Sequence, residues 1–307
     1  MKLKITPLLF SIYPLSVFAQ NLPVSMQTMH FAGKDINYYL IQKQAKKSKD
    51  LLVLLQGSDC KSVINNPNML KNFGVVFPHN DILLVEKTGL NSQVGVNGEE
   101  ASEEECPVDY MSKDSPLERA NNYVAVLKQL KNDYQHIVLL GGSEGALVTN
   151  LIVAQENFIT ASFALNVGGQ YFINDVLYSI ENNTPKKEEI ANSKEGFKQF
   201  AEAVKQKQLN NDQFVSGHGS KWWYEMLTID NLKLIQSVKT PHLVIQTMAD
   251  TNVDAHGTDN MMKQVRNTHV SYRSYEDLDH YFKDKDGQLH TEQIVTDIQH
   301  WYQTVTK

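Results

Sequence analysis

Cysteine is scarce in this chain. Only Cys60 and Cys106 occur in 307 residues, with no CxxC spacing and no histidine beside either, so neither a zinc site nor a thiol redox motif has its ligand set. Positive charge is short as well. The 29 Lys and Arg stand against 35 Asp and Glu, a formal charge of −6, which argues against a nucleic-acid surface, where clustered cations must neutralise phosphate. Long apolar runs are also missing. The first stretch, "MKLKITPLLFSIYPLSVFAQ", has an apolar segment that is broken by Pro7 and Pro14 and is too short for a permanent span. Lys2 and Lys4 precede that segment, and Val17-Phe18-Ala19 form a small-residue cleavage site before Gln20, so residues 1–19 read as a secretory signal peptide. Its removal leaves no stable membrane insertion, makes the chain more acidic, and places both cysteines in an exported protein, periplasmic or secreted. One disulfide is then expected. No cysteine follows the apolar segment, so a lipoprotein reading has no support. No repeat is visible, and the acidic stretch "GEEASEEEC" (98–106) reads as an exposed, solvated loop. A late "DKDGQ" (284–288) lacks the further acidic positions of a calcium loop and reads as a turn.

What is present is alternation. "MHFAGKDINYYLI" predicts two strands around a turn, and "DLLVLLQG" (50–57) and "DILLVEKTG" (81–89) predict buried parallel strands closed by glycine. Ser115, Pro116 and Glu118 form a capping box with proline at the first helical position, so a helix starts there. "HIVLLGG" predicts the next strand, "EGALVTNLIVAQEN" a helix and "ITASFALNVGG" (159–169) a further strand. Helical patterns then fill about 171–238, before "PHLVIQTMAD" (241–250), a helix near 256–266, a strand in "VSYRSYEDLDH" and a terminal amphipathic helix. Such alternation predicts an α/β fold, a mostly parallel central sheet flanked by helices, with the segment at about 171–238 inserted as a helical lid.

Gly141-Gly142-Ser143-Glu144-Gly145 matches G-x-S-x-G and falls between a predicted strand and a predicted helix. That is where a nucleophile elbow must sit, since the sharp turn strains the serine backbone and leaves little room for neighbouring side chains. A serine hydroxyl needs a base. His280, at the end of the last predicted strand in "EDLDHYF", is on a loop at the same sheet edge, with His218 and His256 as rivals. The imidazole needs a carboxylate to orient it. Asp250 ends a predicted strand in "QTMADTNVD", and Asp254 four residues on is the alternative. A tetrahedral oxyanion needs two donors. The backbone N–H of Glu144 supplies one, and the loop after "LLVLLQG" the other, through Ser58 or Gly57. The Glu144 side chain reads either as a helix-start residue favoured by the helix dipole or as an acceptor for a cationic substrate group.

With "LLVLLQGSD", "GGSEGA", "QTMADTNVD" and "DLDHYF" in the order Ser, Asp, His, the chain resembles the α/β-hydrolase superfamily over roughly residues 50–307. "GSEG" is similar to the elbows of some prolyl-oligopeptidase-like secreted hydrolases. The resemblance implies an eight-stranded sheet, no metal or organic cofactor, and acyl transfer through a covalent ester on Ser143, with Asp250 as acid and His280 as base. It implies a small-molecule ester or a short peptide as substrate; a non-catalytic binding protein on the same fold is the rival class. Gln56-Gly57 stands where the superfamily commonly has His-Gly. The fold would bring the loops bearing Cys60 and Cys106 together, which pairs the two cysteines beside the acidic loop. Trp222 and Trp223 read either as packing for the inserted helices or as the wall of a substrate pocket over Ser143.

Overall fold

The computed structural model describes residues 24–306 apart from Glu100, Glu103 and Asn211, so the expected signal peptide lies outside the described residues. Eight strands form one sheet. They are β1 (Val24–Phe31), β2 (Lys34–Ile41), β3 (Asp50–Leu55), β4 (Asp81–Val85), β5 (His136–Gly142), β6 (Ala161–Leu165), β7 (His242–Thr247) and β8 (Val270–Tyr275). Their order is β1-β2-β4-β3-β5-β6-β7-β8. β1 and β2 pair antiparallel, β2 lies antiparallel to β4, and every pairing from β4 to β8 is parallel. The β1–β2 turn runs through Ala32 and Gly33, both at positive φ, the backbone that a tight hairpin demands.

The apolar runs of the central strands have two buried faces. Leu51, Val53 and Leu55 join one core, with Tyr123, Val126 and Val148, while Leu52 and Leu54 join the other, with Leu140, Phe163, Ile294 and Ile298. Period-two alternation thus sends successive β3 side chains to opposite helical layers. Helices α3 (Pro116–Leu130) and α4 (Glu144–Gln155) cover the first face, and α10 (Thr291–Val305) packs on the second. Ser115 caps α3 by accepting the Glu118 N–H at 3.3 Å. The Glu118 carboxylate does not close the expected box; it pairs with Lys34 and Lys221 instead.

Two helices lie where no regular element was expected. α1 (Pro67–Phe73) is capped by Asn66, which accepts the Met69 N–H at 3.1 Å, with Pro67 in its first turn. α2 (Val108–Lys113) follows Cys106 directly. Cys60 and Cys106 are joined in a disulfide. Between β6 and β7 the chain forms four helices, α5 (Phe172–Asn183), α6 (Lys187–Lys205), α7 (Ser220–Thr228) and α8 (Asn231–Ser237). α9 (Ala255–Met262) follows β7. Among the described residues, no helix is long and apolar enough to cross a membrane.

Candidate active site

Ser143 sits between β5 and α4 with φ 55° and ψ −125°, a backbone that non-glycine residues rarely adopt. The turn is held by close backbone packing. A Cβ on Gly145 would lie 2.1 Å from the Leu55 carbonyl oxygen, and one on Gly141 would lie 2.1 Å from the Gly145 carbonyl oxygen. Gly142 differs, because a Cβ there meets nothing within 4 Å. Glycine is therefore required two residues either side of Ser143 rather than next to it. Every residue of α4 from Glu144 to Val153 is buried, which fixes the turn against the sheet.

His280 Nδ1 lies 2.6 Å from Asp250 Oδ2. Asp250 is fully buried, and its other oxygen accepts the backbone N–H groups of Asn252 at 2.7 Å and Val253 at 3.1 Å. The neighbouring Asp254 is occupied otherwise. It caps α9, accepting the Gly257 N–H at 2.8 Å. The two rival histidines lie elsewhere: His256 is exposed on α9, and His218 is stacked on Trp222 with ring centroids 3.8 Å apart. Burial lowers the pKa of His218 to about 4.

Two cavities meet at Ser143. A narrow one of about 80 Å³ runs under α5 and α7, between Leu147, Phe172, Trp222, Met226 and Val253. A wide one of about 480 Å³ lies on the other side, bordered by His280, Gln56, α1 and the loop Tyr281–Lys283. Ser58 borders both. Gly57 packs close to the serine, since a Cβ on it would stand 3.6 Å from Ser143 Cβ. The Glu144 N–H is the first amide of α4 and has no partner within its own helix.

The Glu144 side chain is 5% exposed and both of its oxygens are taken. Arg119 Nη1 donates to Oε1 at 2.7 Å, and Trp222 Nε1 donates to Oε2 at 2.9 Å. Burial alone would raise this carboxyl group; the Arg119 guanidinium outweighs it and holds the pKa below the ordinary value. The expectation that Glu144 accepts a substrate cation thus meets a carboxylate already satisfied from within. The two tryptophans also separate. Trp222 borders the narrow cavity. Trp223 packs among Phe172, Phe197 and Phe200 and donates to the Val215 carbonyl at 3.0 Å, as a helix-packing residue.

Three residues at the site carried no signal in the sequence. Arg119, 2% exposed, reaches from α3 to the carbonyls of Gln56 and Gly57 as well as to Glu144. Asn166, at φ 53°, donates to the His280 carbonyl at 3.0 Å and accepts the Thr247 N–H at 2.9 Å, tying the histidine loop to β7. Asp175 accepts the N–H groups of Gly169 at 3.1 Å and Asp254 at 2.9 Å, and burial raises its pKa to about 7. Each acts on partners remote in sequence, which local pattern does not reveal.

No family model matches the sequence, and no curated protein matches it. Solved structures do. The esterase Pf2001 of Pyrococcus furiosus aligns at a TM-score of 0.61 and 13% identity, over 93% of this chain and 92% of that one. Est1E of Butyrivibrio proteoclasticus aligns at 0.56 and 14%, over 91% and 98%. An acylaminoacyl peptidase of Pyrococcus horikoshii aligns at 0.58 and 14%, over 92% of this chain but 42% of the peptidase. The chain has the α/β-hydrolase fold, as the sheet order and the crossing helices also indicate.

Proposed function

We propose that the protein is an exported serine hydrolase that cleaves a carboxylic ester, with Ser143 as nucleophile, His280 as base and Asp250 as the acid that orients it. The observation carrying this reading is the serine held at φ 55° on one wall of a cavity whose other wall is a histidine bonded at 2.6 Å to a buried carboxylate. With Nδ1 turned to Asp250, Nε2 is the nitrogen free to take the Ser143 proton. The serine oxygen then forms a bond to the substrate carbonyl carbon, and the negative oxygen is held by the N–H of Glu144 and of Ser58, with Gly57 allowing close approach. Collapse breaks the carbon–oxygen bond of the alcohol, which leaves with the proton from Nε2. Water, deprotonated by the same nitrogen, cleaves the acyl-enzyme and restores Ser143. No metal or cofactor enters this cycle. Helices α5–α8 serve as the lid that roofs the acyl side.

Ester hydrolysis is favoured over peptide hydrolysis because the carboxylate beside the nucleophile, the residue suited to an amino terminus, is occupied by Arg119 and Trp222. The test is a panel of p-nitrophenyl esters beside aminoacyl and dipeptidyl nitroanilides, with Ser143→Ala as control. Ester turnover that falls at least ~10⁴-fold in the variant supports the reading. Preferred turnover of nitroanilides makes the protein a peptidase, and activity surviving Ser143→Ala removes the nucleophile assignment. Absence of labelling by a fluorophosphonate would mark a binding protein.

A further inference from the structure

The loop after β3 is held by its carbonyls, one after another. The pairing of β3 with β5 ends at Leu55, so the sheet does not fix residues 56–60. Other groups do. Arg119 donates to the carbonyls of Gln56 and Gly57, and the Tyr110 hydroxyl donates to that of Ser58 at 2.6 Å. The Lys87 ammonium takes the Asp59 carbonyl, and the Ala101 N–H donates to that of Cys60 at 3.1 Å. The run of acceptors is thus filled from Gln56 to Cys60. The N–H of Ser58 is treated differently, for among the described residues no acceptor takes it.

A trans peptide carries its C=O and N–H on opposite edges, and among the described residues no peptide bond is cis. With the oxygens of Gln56 and Gly57 both drawn to Arg119, the N–H groups of Gly57 and Ser58 are turned away from that guanidinium. Ser58 borders both cavities that meet at Ser143. In the serine-hydrolase reading, on which this inference rests, the Ser58 N–H is one of two donors to the oxyanion. Such a donor is worth most when it needs no reorganisation at the moment of reaction. We propose that Tyr110, together with the Cys60–Cys106 disulfide, is a positioning device for the oxyanion hole, holding the Ser58 peptide from behind so that its N–H is in place before the negative oxygen forms.

Tyr110 is suited to that duty. Its side chain is buried, and burial pushes the phenol well above its ordinary value, so the hydroxyl keeps its proton and donates. The helix that carries it, α2, is closely backed. A Cβ on Gly89 would stand 2.2 Å from the Tyr110 nitrogen, and Gly219 donates to the Met111 carbonyl at 2.8 Å. Cys106, four residues before Tyr110, carries the bond to Cys60, two residues after Ser58. One short segment therefore grips the loop on either side of Asp59, once through a covalent bond. Phenylalanine at 110 would keep the ring in its packing but leave the Ser58 carbonyl without its donor. The backbone at Ser58 could then turn and carry its N–H out of line.

Two inhibitors separate positioning from plain stability: butyl trifluoromethyl ketone and butyl methyl ketone. The carbonyl carbon of the first accepts the Ser143 oxygen, the serine proton passes to His280, and the ketone oxygen becomes an anion in the hole. The second binds trigonal and uncharged. In Tyr110→Phe the Ki of the trifluoromethyl ketone should rise about tenfold while that of the methyl ketone stays within about twofold; removing a donor outright costs ~10²–10³-fold. Acylation and deacylation both pass through the oxyanion, so kcat for p-nitrophenyl acetate should fall about tenfold with KM nearly unchanged. Cys60→Ala/Cys106→Ala should raise the same Ki and spare the other. Tyr110→Phe keeps the ring and the disulfide, and decides alone should the cysteine variant not fold. An unchanged Ki for the trifluoromethyl ketone overturns the inference. So does a rise shared equally by both ketones with a lower urea midpoint, since that marks a structural residue. Failure of the hydrolase reading has its own signature, a native protein that neither turns over p-nitrophenyl acetate nor prefers the trifluoromethyl ketone, and overturns both.

Discussion

Replacing Arg119 by Met tests how the site is held. The guanidinium is 2% exposed and faces a carboxylate that is 3% exposed. It also bonds the carbonyls of Gln56 and Gly57, so one side chain ties α3, the loop after β3 and the first residue of α4. Met fills similar volume but leaves Glu144 buried with the Trp222 indole as its remaining donor. Asp114 loses the same nearby cation, and its two oxygens have no hydrogen-bond partner. Breaking a buried pair from one side costs about 3–5 kcal/mol, mostly the penalty of the charge left behind. The loss has a defined pH dependence. In the native protein Glu144 is depressed, so its contribution is present above the ordinary Glu value and lost as pH falls through the folded-state pKa. In Arg119→Met the largest counterweight to burial is gone, leaving His218, Lys87 and the Trp222 N–H, so the Glu144 carboxyl rises and the variant weakens as pH rises. Protonation relieves it at low pH.

The assay is urea unfolding of both proteins at pH 5 and pH 8. The difference should be about 3–5 kcal/mol at pH 8 and smaller at pH 5 by about 1.4 kcal/mol for each unit by which the variant's carboxyl lies above pH 5. Arg119→Met/Glu144→Gln should recover part of the loss, with a coupling above about 1 kcal/mol. A single-variant cost under about 1 kcal/mol, equal at both pH values, would refute the reasoning.

Two further outcomes follow from the same geometry. Gly145→Ala puts a methyl 2.1 Å from a backbone oxygen that no rotamer can move; soluble yield should collapse, whereas Gly142→Ala, in open space, should fold, and equal yields would show that the turn can relax. Asp175, raised to about 7 by burial, binds its proton more tightly folded than unfolded. Stability should therefore fall as pH climbs from about 4 to about 7, and Asp175→Asn should flatten that slope in urea midpoints taken across the range.

Sequence pattern revealed what depends on neighbours in the chain. The apolar runs, the Ser115-Pro116 helix start and the G-x-S-x-G turn are local, and they place the sheet, α3 and the elbow. Asn66-Pro67 carried the same kind of start signal for α1 but leads a short helix with little periodicity. The apolar run overstates the strand's end: β4 stops at Val85, and beyond it Glu86 keeps one backbone bond to Asn37 of β2 at 2.9 Å while its side chain and Lys87 are buried. Arg119 reads as a surface charge, in "SPLERANN", until the fold brings Glu144 beneath it. Gln56 reads as the end of an apolar strand; that its amide lacks a partner is a property of the packed interior alone. Asp254 carries a cap pattern with Gly257, which separates it from Asp250 once the start of α9 is known.

The parts of the site divide by origin. Ser143, Asp250, His280 and the Gly57–Ser58 loop all follow sheet strands, while Phe172, Trp222, Met226 and Asn231 of the narrow cavity come from α5, α7 and α8. Beside Ser143 the two groups are joined by the indole N–H of Trp222 on the Glu144 carboxylate. Descendants of this chain can therefore exchange the four-helix segment almost as a cartridge. Provided that a donor returns to Glu144, and that the contacts of Asp175 with Asp254 and of Glu225 with Leu117 are kept, the lining of the narrow cavity can change while the residues after the strands stay as they are.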